Sequence, residues 1–225
     1  MSLCRPPTRR AFAPLAAAAL AVLLVAVPGR AEGSADGRAD ELTELLKKGP
    51  MARVDTDKNG RFDAVLSVVD VDAPAEDLWR ALTAFDSYRC FMPRISSVGV
   101  RRGDDGGILV DWAIDTPLVA TKYTNTVTVN DGTMTMTART IVGDMVGSHY
   151  EWRVVKLSSS TCRMFHGAWP RSYAAIVSTL DDDQQTLTIG VSVGSVFSTT
   201  RALKARAEQL ARNRPMQPTA TIRAP

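Results

Sequence analysis

The stretch VDVDAPAEDLWRALTAFDSYRCFMPRISSVGV, Val69–Val100, carries the reading that decides the fold. Val69 and Val71 alternate with aspartates, the period of a half-buried strand. Asp72 and Pro74 then open a helix. Proline's fixed φ suits a first turn, and Glu76 and Asp77 put negative charge at the positive end of the dipole. Leu78, Leu82 and Phe85 fall on one helical face, widened by Trp79 and Ala81. Ser87–Met92 adds one more short turn, Pro93 stops it, and a new strand starts at Ile95.

Upstream, Met51–Val71 reads as a hairpin turned at Asp55-Thr56-Asp57-Lys58-Asn59-Gly60, with Asn-Gly its strongest signal. Asp55, Asp57, Asn59 and Gly60 also match the start of a calcium loop. Such a loop needs a bidentate Glu at its twelfth position, which here is Leu66, so the plain turn is the expectation. Before it, Glu41–Lys48 carries Leu42, Leu45 and Leu46 at helical spacing, and Glu32–Asp40 has no apolar period and reads as a mobile linker.

Downstream the chain reads as successive strands: Ile95–Arg102, Ile108–Thr116, Lys122–Val129, Thr133–Ile141, His149–Leu157 and Thr161–Trp169. Turn residues such as Asn130-Asp131-Gly132 and Ser158-Ser159-Ser160 separate them, and links this short imply antiparallel neighbours. Ser172–Leu180 is short enough for one small helix. Thr186–Phe197 leans to strand by propensity. Yet Leu187, Val191, Phe197, Leu203, Ala207 and Leu210 share one helical stripe, and Arg201–Asn213 is helical on any scale. One long terminal helix is therefore expected, with Gly190 and Gly194 placed where its backbone passes close to a sheet. Residues 214–225 read as a disordered tail.

The N-terminus has the grammar of a targeting segment. Arg5, Arg9 and Arg10 precede the apolar run Ala11–Val27, Pro28-Gly29 breaks it, and Gly29 and Ala31 are small residues before a cleavage point. Residues 1–31 are read as a secretory signal, giving a periplasmic or secreted protein. The alternative is an uncleaved membrane anchor, for which 17 residues is at the short limit. Cleavage would remove four arginines and no acid, so 27 basic and 24 acidic residues become 23 and 24. The basic balance then belongs to the leader, and nucleic-acid binding loses its support. Cys90 and Cys162 would remain, either paired by export or packed as two small buried hydrophobes.

The element order, with VDAPAEDLWRAL, FDSYRCFMPRI and HYEWRVVKL, resembles the START-like (SRPBCC, helix-grip) superfamily, and within it the polyketide cyclase/dehydrase and coenzyme-Q-binding branch. The resemblance runs over residues 51–213. It rests on Ala73, Pro74 and Trp79, on Phe85, Asp86, Tyr88, Phe91 and Pro93, and more loosely on Trp152 and Val154. It implies an α+β helix-grip fold. A curved antiparallel sheet of about seven strands would wrap around a long C-terminal helix, with two short helices after the first strand. It also implies a hydrophobic small-molecule ligand, a lipid, quinone or polyketide-like compound, between sheet and helix.

Strand alternation supplies the lining of that space. The inward candidates are Trp112, Ile114, Tyr123, Asn125, Met134, Met136, Trp152, Met164 and His166, a mostly apolar set with a few polar groups, as small-molecule sites are built. Two functions follow from the resemblance: a protein that encloses and carries its guest, or a cyclase/dehydratase-type enzyme. In the enzyme, inward-pointing His166 would move a proton with Tyr123 or Tyr150 orienting a carbonyl. Proton-transfer residues are scarce, which favours the carrier. No Gly-x-Ser-x-Gly elbow, His-Glu-x-x-His, Cys-x-x-Cys or phosphate loop occurs, and with two histidines no metal or cofactor is expected. Arg201, Lys204, Arg206, Arg212 and Arg214 make the last helix basic, either as a solvated face or as a transient membrane-surface contact.

Overall fold

The structure, a computed structural model, describes residues 35–104, 106–115, 120–171 and 184–214. The leader, the Ser172–Leu180 helix and the tail beyond Arg214 lie outside the described residues.

Eight strands form one antiparallel sheet: β1 (Met51–Thr56), β2 (Phe62–Val71), β3 (Ile95–Arg102), β4 (Ile108–Asp115), β5 (Ala120–Asn130), β6 (Thr135–Gly143), β7 (His149–Lys156) and β8 (Cys162–Trp169). Their spatial order is β1-β2-β8-β7-β6-β5-β4-β3. The count is close to the seven expected, since the β1–β2 hairpin supplies a full arm on each side of its turn. The turn is held by Asp57, whose carboxylate accepts the Asn59 and Arg61 N–H groups at 2.8 and 2.9 Å. Those bonds hold Asp57 below the usual carboxylate range.

Among the described residues three α-helices accompany the sheet: α1 (Ala35–Leu46), α2 (Ala75–Thr83) and α3 (Gln184–Arg212). A 3-10 helix, Phe85–Cys90, follows α2. The two short elements sit after β2 rather than after the first strand, because the hairpin precedes them. α1 starts inside the segment read as a linker and ends two residues short of Lys48. Ala35, Asp36, Ala39 and Asp40 are good early-helix residues even without an apolar period.

Pro74 caps α2, and Ala75, Leu78, Trp79, Ala81 and Leu82 are buried by it. They meet Val69 and Val71 of β2, Met164 of β8 and Leu203 and Ala207 of α3 in the main core. The back half of α3 is tied there by polar bonds as well. Thr200 bonds Ser67 at 3.1 Å, Lys204 donates to the Asp70 carbonyl at 2.8 Å, and Glu208 accepts the Asp72 N–H at 3.3 Å. Arg214 reaches the fully buried Asp77 of α2 at 2.8 Å. Lys204, Arg206 and Arg214 are thus engaged within the fold, Arg206 over the Phe91 ring. Arg201 and Arg212 are exposed. Cys162 is a free, buried thiol pushed up to about 12, so it is not paired with Cys90.

α3 is one continuous helix through the stretch whose propensity leaned to strand. Gly190 and Gly194 are not close-approach positions as expected. A Cβ built at either meets nothing within 4 Å. With that space open, each glycine only weakens the helix. Gly190→Ala and Gly194→Ala are therefore each expected to raise stability by roughly 0.5–1 kcal/mol, read as an increased urea midpoint. A lowered midpoint would mean that the space is taken in the folded protein.

Candidate functional site

The sheet curves around a cavity of about 730 Å³. Its floor is the concave face of β4–β8. One wall is the 3-10 helix with the turn to β3, and the front half of α3 covers it. The back half of α3 fills the other end of the groove with core side chains, so the hollow lies at one end only.

The turn wall is aromatic. Phe85 and Tyr88 lie against Trp112 with ring centroids 6.4 and 5.4 Å apart. The Tyr88 hydroxyl donates to the Leu82 carbonyl at 2.6 Å, and burial pushes its acidity far down by raising its pKa. On the opposite wall Tyr150, Trp152 and His166 form a near-parallel row. Tyr150 and Trp152 stack at 6.0 Å and 26°, Trp152 and His166 at 4.8 Å and 12°. This row follows from sequence parity. Tyr150 and Trp152 are two apart on β7, and His166 is the cross-strand partner of Trp152. In the middle, Asn125 of β5 accepts the Thr140 hydroxyl at 2.8 Å, both residues being buried.

Of the inward set expected from alternation, Trp112, Ile114, Tyr123, Asn125, Met136, Trp152 and His166 line the cavity, and Tyr150 joins them. Met134 and Met164 do not. Met134 precedes β6 in a left-handed conformation (φ 48°), which breaks the strand parity, and it packs half-buried on the main core. Met164 faces inward as alternation requires, but at the filled end of the groove, where it is completely covered beside Leu203.

The structure adds residues that alternation cannot reach. Met92, Pro93 and Arg94 come from the turn, and Met145 from the β6–β7 connection. From α3 come Thr188, Ser192, Val196 and Thr199. The buried face of the front half is thus Ser192 and Val196, whereas Val191 of the expected apolar stripe is exposed and Phe197 only half-buried. The four-residue spacing of Thr188, Ser192, Val196 and Thr200 was present in the sequence, but a search for apolar residues passes over a row that is mostly hydroxyl.

The lining holds no Asp, Glu, Lys or Cys among the described residues. Arg94 is the one cation among the described lining residues, exposed at the rim. His166 is buried to 4% exposure, and desolvation pushes its pKa down to about 3, so the imidazole is neutral at physiological pH. Of the candidate proton-transfer groups, Tyr150 shares a wall with His166 and Tyr123 does not. The sheet order puts Tyr123 of β5 three strands from His166, about 14 Å of sheet. Trp152, rather than Tyr150, is the ring stacked on the imidazole. Among the described residues no group of three or more His, Cys, Asp or Glu is gathered as metal ligands. None of the described helices is long and apolar enough to cross a membrane.

Residues 71–214 match the family described as polyketide cyclase / dehydrase and lipid transport. Curated protein sequences give no match. Among solved structures, the Zhui aromatase/cyclase from Streptomyces sp. R1128 is 18% identical with a TM-score of 0.57, over 67% of this chain and 96% of that one. A protein from Thermus thermophilus is 14% identical with a TM-score of 0.58, over 66% and 99%. A START superfamily protein from Mycobacterium smegmatis is 16% identical with a TM-score of 0.52, over 66% and 99%. At these identities the likeness is one of fold.

Proposed function

The chain belongs to the polyketide cyclase / dehydrase and lipid transport family, and on that premise we propose that it is an exported carrier that encloses one hydrophobic small molecule between its sheet and its long C-terminal helix. The cavity carries the reading. Its volume, about 730 Å³, falls in the range of small-molecule sites, and its walls are aromatic and aliphatic apart from a few placed polar groups. A guest burying about 200 Å² of apolar surface gains about 5 kcal/mol before the costs of ordering. Export rests on the leader-like first 31 residues. Delivery at an anionic lipid surface would fall to exposed Arg201 and Arg212.

The rival, a cyclase/dehydratase-type enzyme, draws support from His166 and Tyr150 on the cavity wall. Against it stands the state of the histidine. A general base works best with a pKa near the working pH, and His166 lies well below that with no carboxylate beside it among the described lining residues.

Mass spectrometry of protein isolated from its exporting cell tests the proposal. It reports the mature N-terminus and any retained guest together. A first residue at Glu32 with a bound apolar molecule supports it. Protein that neither holds nor takes up any lipid, quinone or polycyclic compound would sink the carrier, and an intact leader would sink the export. A charge in the lining gives a second test. Ile114 lies half-buried at the end of β4 on the cavity wall, so a carboxylate there stays wet until a guest arrives. Ile114→Asp is expected to weaken binding at least about a hundredfold with little change in melting temperature, measured by titration and circular dichroism.

A further inference from the structure

Among the described residues, five buried side-chain nitrogen and oxygen atoms have no hydrogen-bond partner: Trp112 Nε1, Trp152 Nε1, both ring nitrogens of His166, and Ser192 Oγ. All sit on residues that line the cavity. Elsewhere the fold satisfies its buried polar groups, as Asn125–Thr140, Ser67–Thr200 and Tyr88–Leu82 show. Leaving a buried donor or acceptor unmade is costly, so native interiors pair nearly all of them. As the side chains stand, all five atoms are closed to solvent. Apolar residues of the same shape would remove the cost, phenylalanine for either indole or for the imidazole. The unpaired atoms therefore mark a place where a guest supplies the missing half of the bond.

The chemistry of the set says what that half is. An indole N–H is a donor only, so Trp112 and Trp152 each ask for an acceptor. Neutral His166 offers one donor and one acceptor, and Ser192 offers both on one oxygen. The two indoles are far apart. Trp112 is on β4 beside Phe85 and Tyr88, and Trp152 is on β7 beside His166. Three strand spacings separate them, about 14 Å along the sheet. Both indoles are only partly buried as residues and line the hollow, so a guest would read each N–H through a turn about its side-chain bonds. No carboxylate, lysine or cysteine lines the walls among the described residues, so nothing inside calls for a cationic or metal-bearing guest.

We propose that the guest is an uncharged, elongated apolar molecule bearing accepting oxygens, carbonyl or hydroxyl, at two separated positions, one read by the Trp112 indole N–H and the other by Trp152 with His166 and Ser192. This deepens, and rests on, the carrier reading. It separates ligand classes that volume alone does not. A saturated hydrocarbon tail leaves every one of these atoms unmade, whereas a diketone or diol of the same shape completes them. An apolar hollow without such donors shows the opposite preference, because burying an unpaired carbonyl is unfavourable.

Two matched pairs of probes test it with the intact protein: androstane against androstanedione, rigid, and octadecane against octadecanedione, flexible. Dissociation constants come from isothermal titration or equilibrium dialysis. The diketone of at least one pair is expected to bind roughly tenfold tighter than its hydrocarbon, one net hydrogen bond's worth. Trp152→Phe and Trp112→Phe keep a ring and delete a donor. Each is expected to lower that diketone-to-hydrocarbon ratio several-fold, a ratio that a purely structural role would leave alone. Hydrocarbons binding as tightly as diketones in both pairs, or a ratio unmoved by either substitution, overturns the inference and leaves the carrier standing. Failure of all four probes to bind overturns this inference, while the carrier falls only if no lipid, quinone or polycyclic compound is taken up either.

Discussion

A Gly143→Val protein is expected to lose about 3–5 kcal/mol of stability, a large share of the 5–15 kcal/mol typical of a domain. Gly143 ends β6 with φ at +96°, a region closed to β-branched side chains. Its close neighbour is backbone, not a movable side chain. A Cβ there would lie 2.7 Å from the Tyr123 Cα and closer still to the Lys122 carbonyl oxygen. The register of β5 and β6 shifts between Thr124 and Asn125, and the bulge brings Gly143 opposite Tyr123. A side chain at 143 thus forces the two strands apart at the residue that carries Tyr123 into the lining. Urea and thermal unfolding check it. At about 2–4 °C per kcal/mol for a chain of this size, the melting temperature should fall by roughly 10 °C, and Gly143→Ala should lose part of that. A shift of a degree or two would mean that the strands do not approach as closely as described.

Acid lability is the second large effect, and it traces to His166. Above pH 6.5 the imidazole is neutral whether the chain is folded or not, and it contributes nothing to pH dependence. Between pH 6.5 and about 3 the unfolded chain binds a proton that the folded protein refuses, because burial keeps the ring neutral. The unfolded state holds more protons, so stability rises with pH across this window and falls as the solution is acidified. The slope approaches about 1.4 kcal/mol per pH unit, on the order of 5 kcal/mol in total. His166→Phe keeps the stack on Trp152 and removes the titration. Unfolding free energies at a series of pH values should show the wild-type slope between pH 6 and 4 flattened in the variant. Parallel curves for the two proteins would remove His166 as the cause.

How far the sequence carried the fold and the site depends on the range of the interaction being read. Local patterns were sufficient where both partners lie close in the chain. Pro74 with its acidic first turn, the Asn-Gly hairpin and the alternation of β3–β8 all appear within a residue or two of their expected places. The pairing of β2 with β8, which lets the meander return to the hairpin, joins residues about a hundred positions apart, and no local signal encodes it. In the site, alternation decides which face a side chain takes but not how far along the groove it stands. Met164 and His166 share a face on β8, yet one is core and the other lines the hollow, because the tied half of α3 ends between them. Met134 failed for another reason, a left-handed residue that resets the strand parity. The glycines of α3 suggested close packing and the structure leaves them open, while the hydroxyl face through Ser192 lacked the apolar signature that pattern reading seeks.

The uneven attachment of α3 divides labour along a single element. Every polar tether described for it, from Thr200 to Arg214 just past its end, falls behind the hollow, and the turns ahead of Thr200 are rich in glycine, serine, threonine and valine. Helical cooperativity is weak through such a composition. The back of the helix and the core behind it are therefore the last parts to loosen, and the turns over the hollow the first.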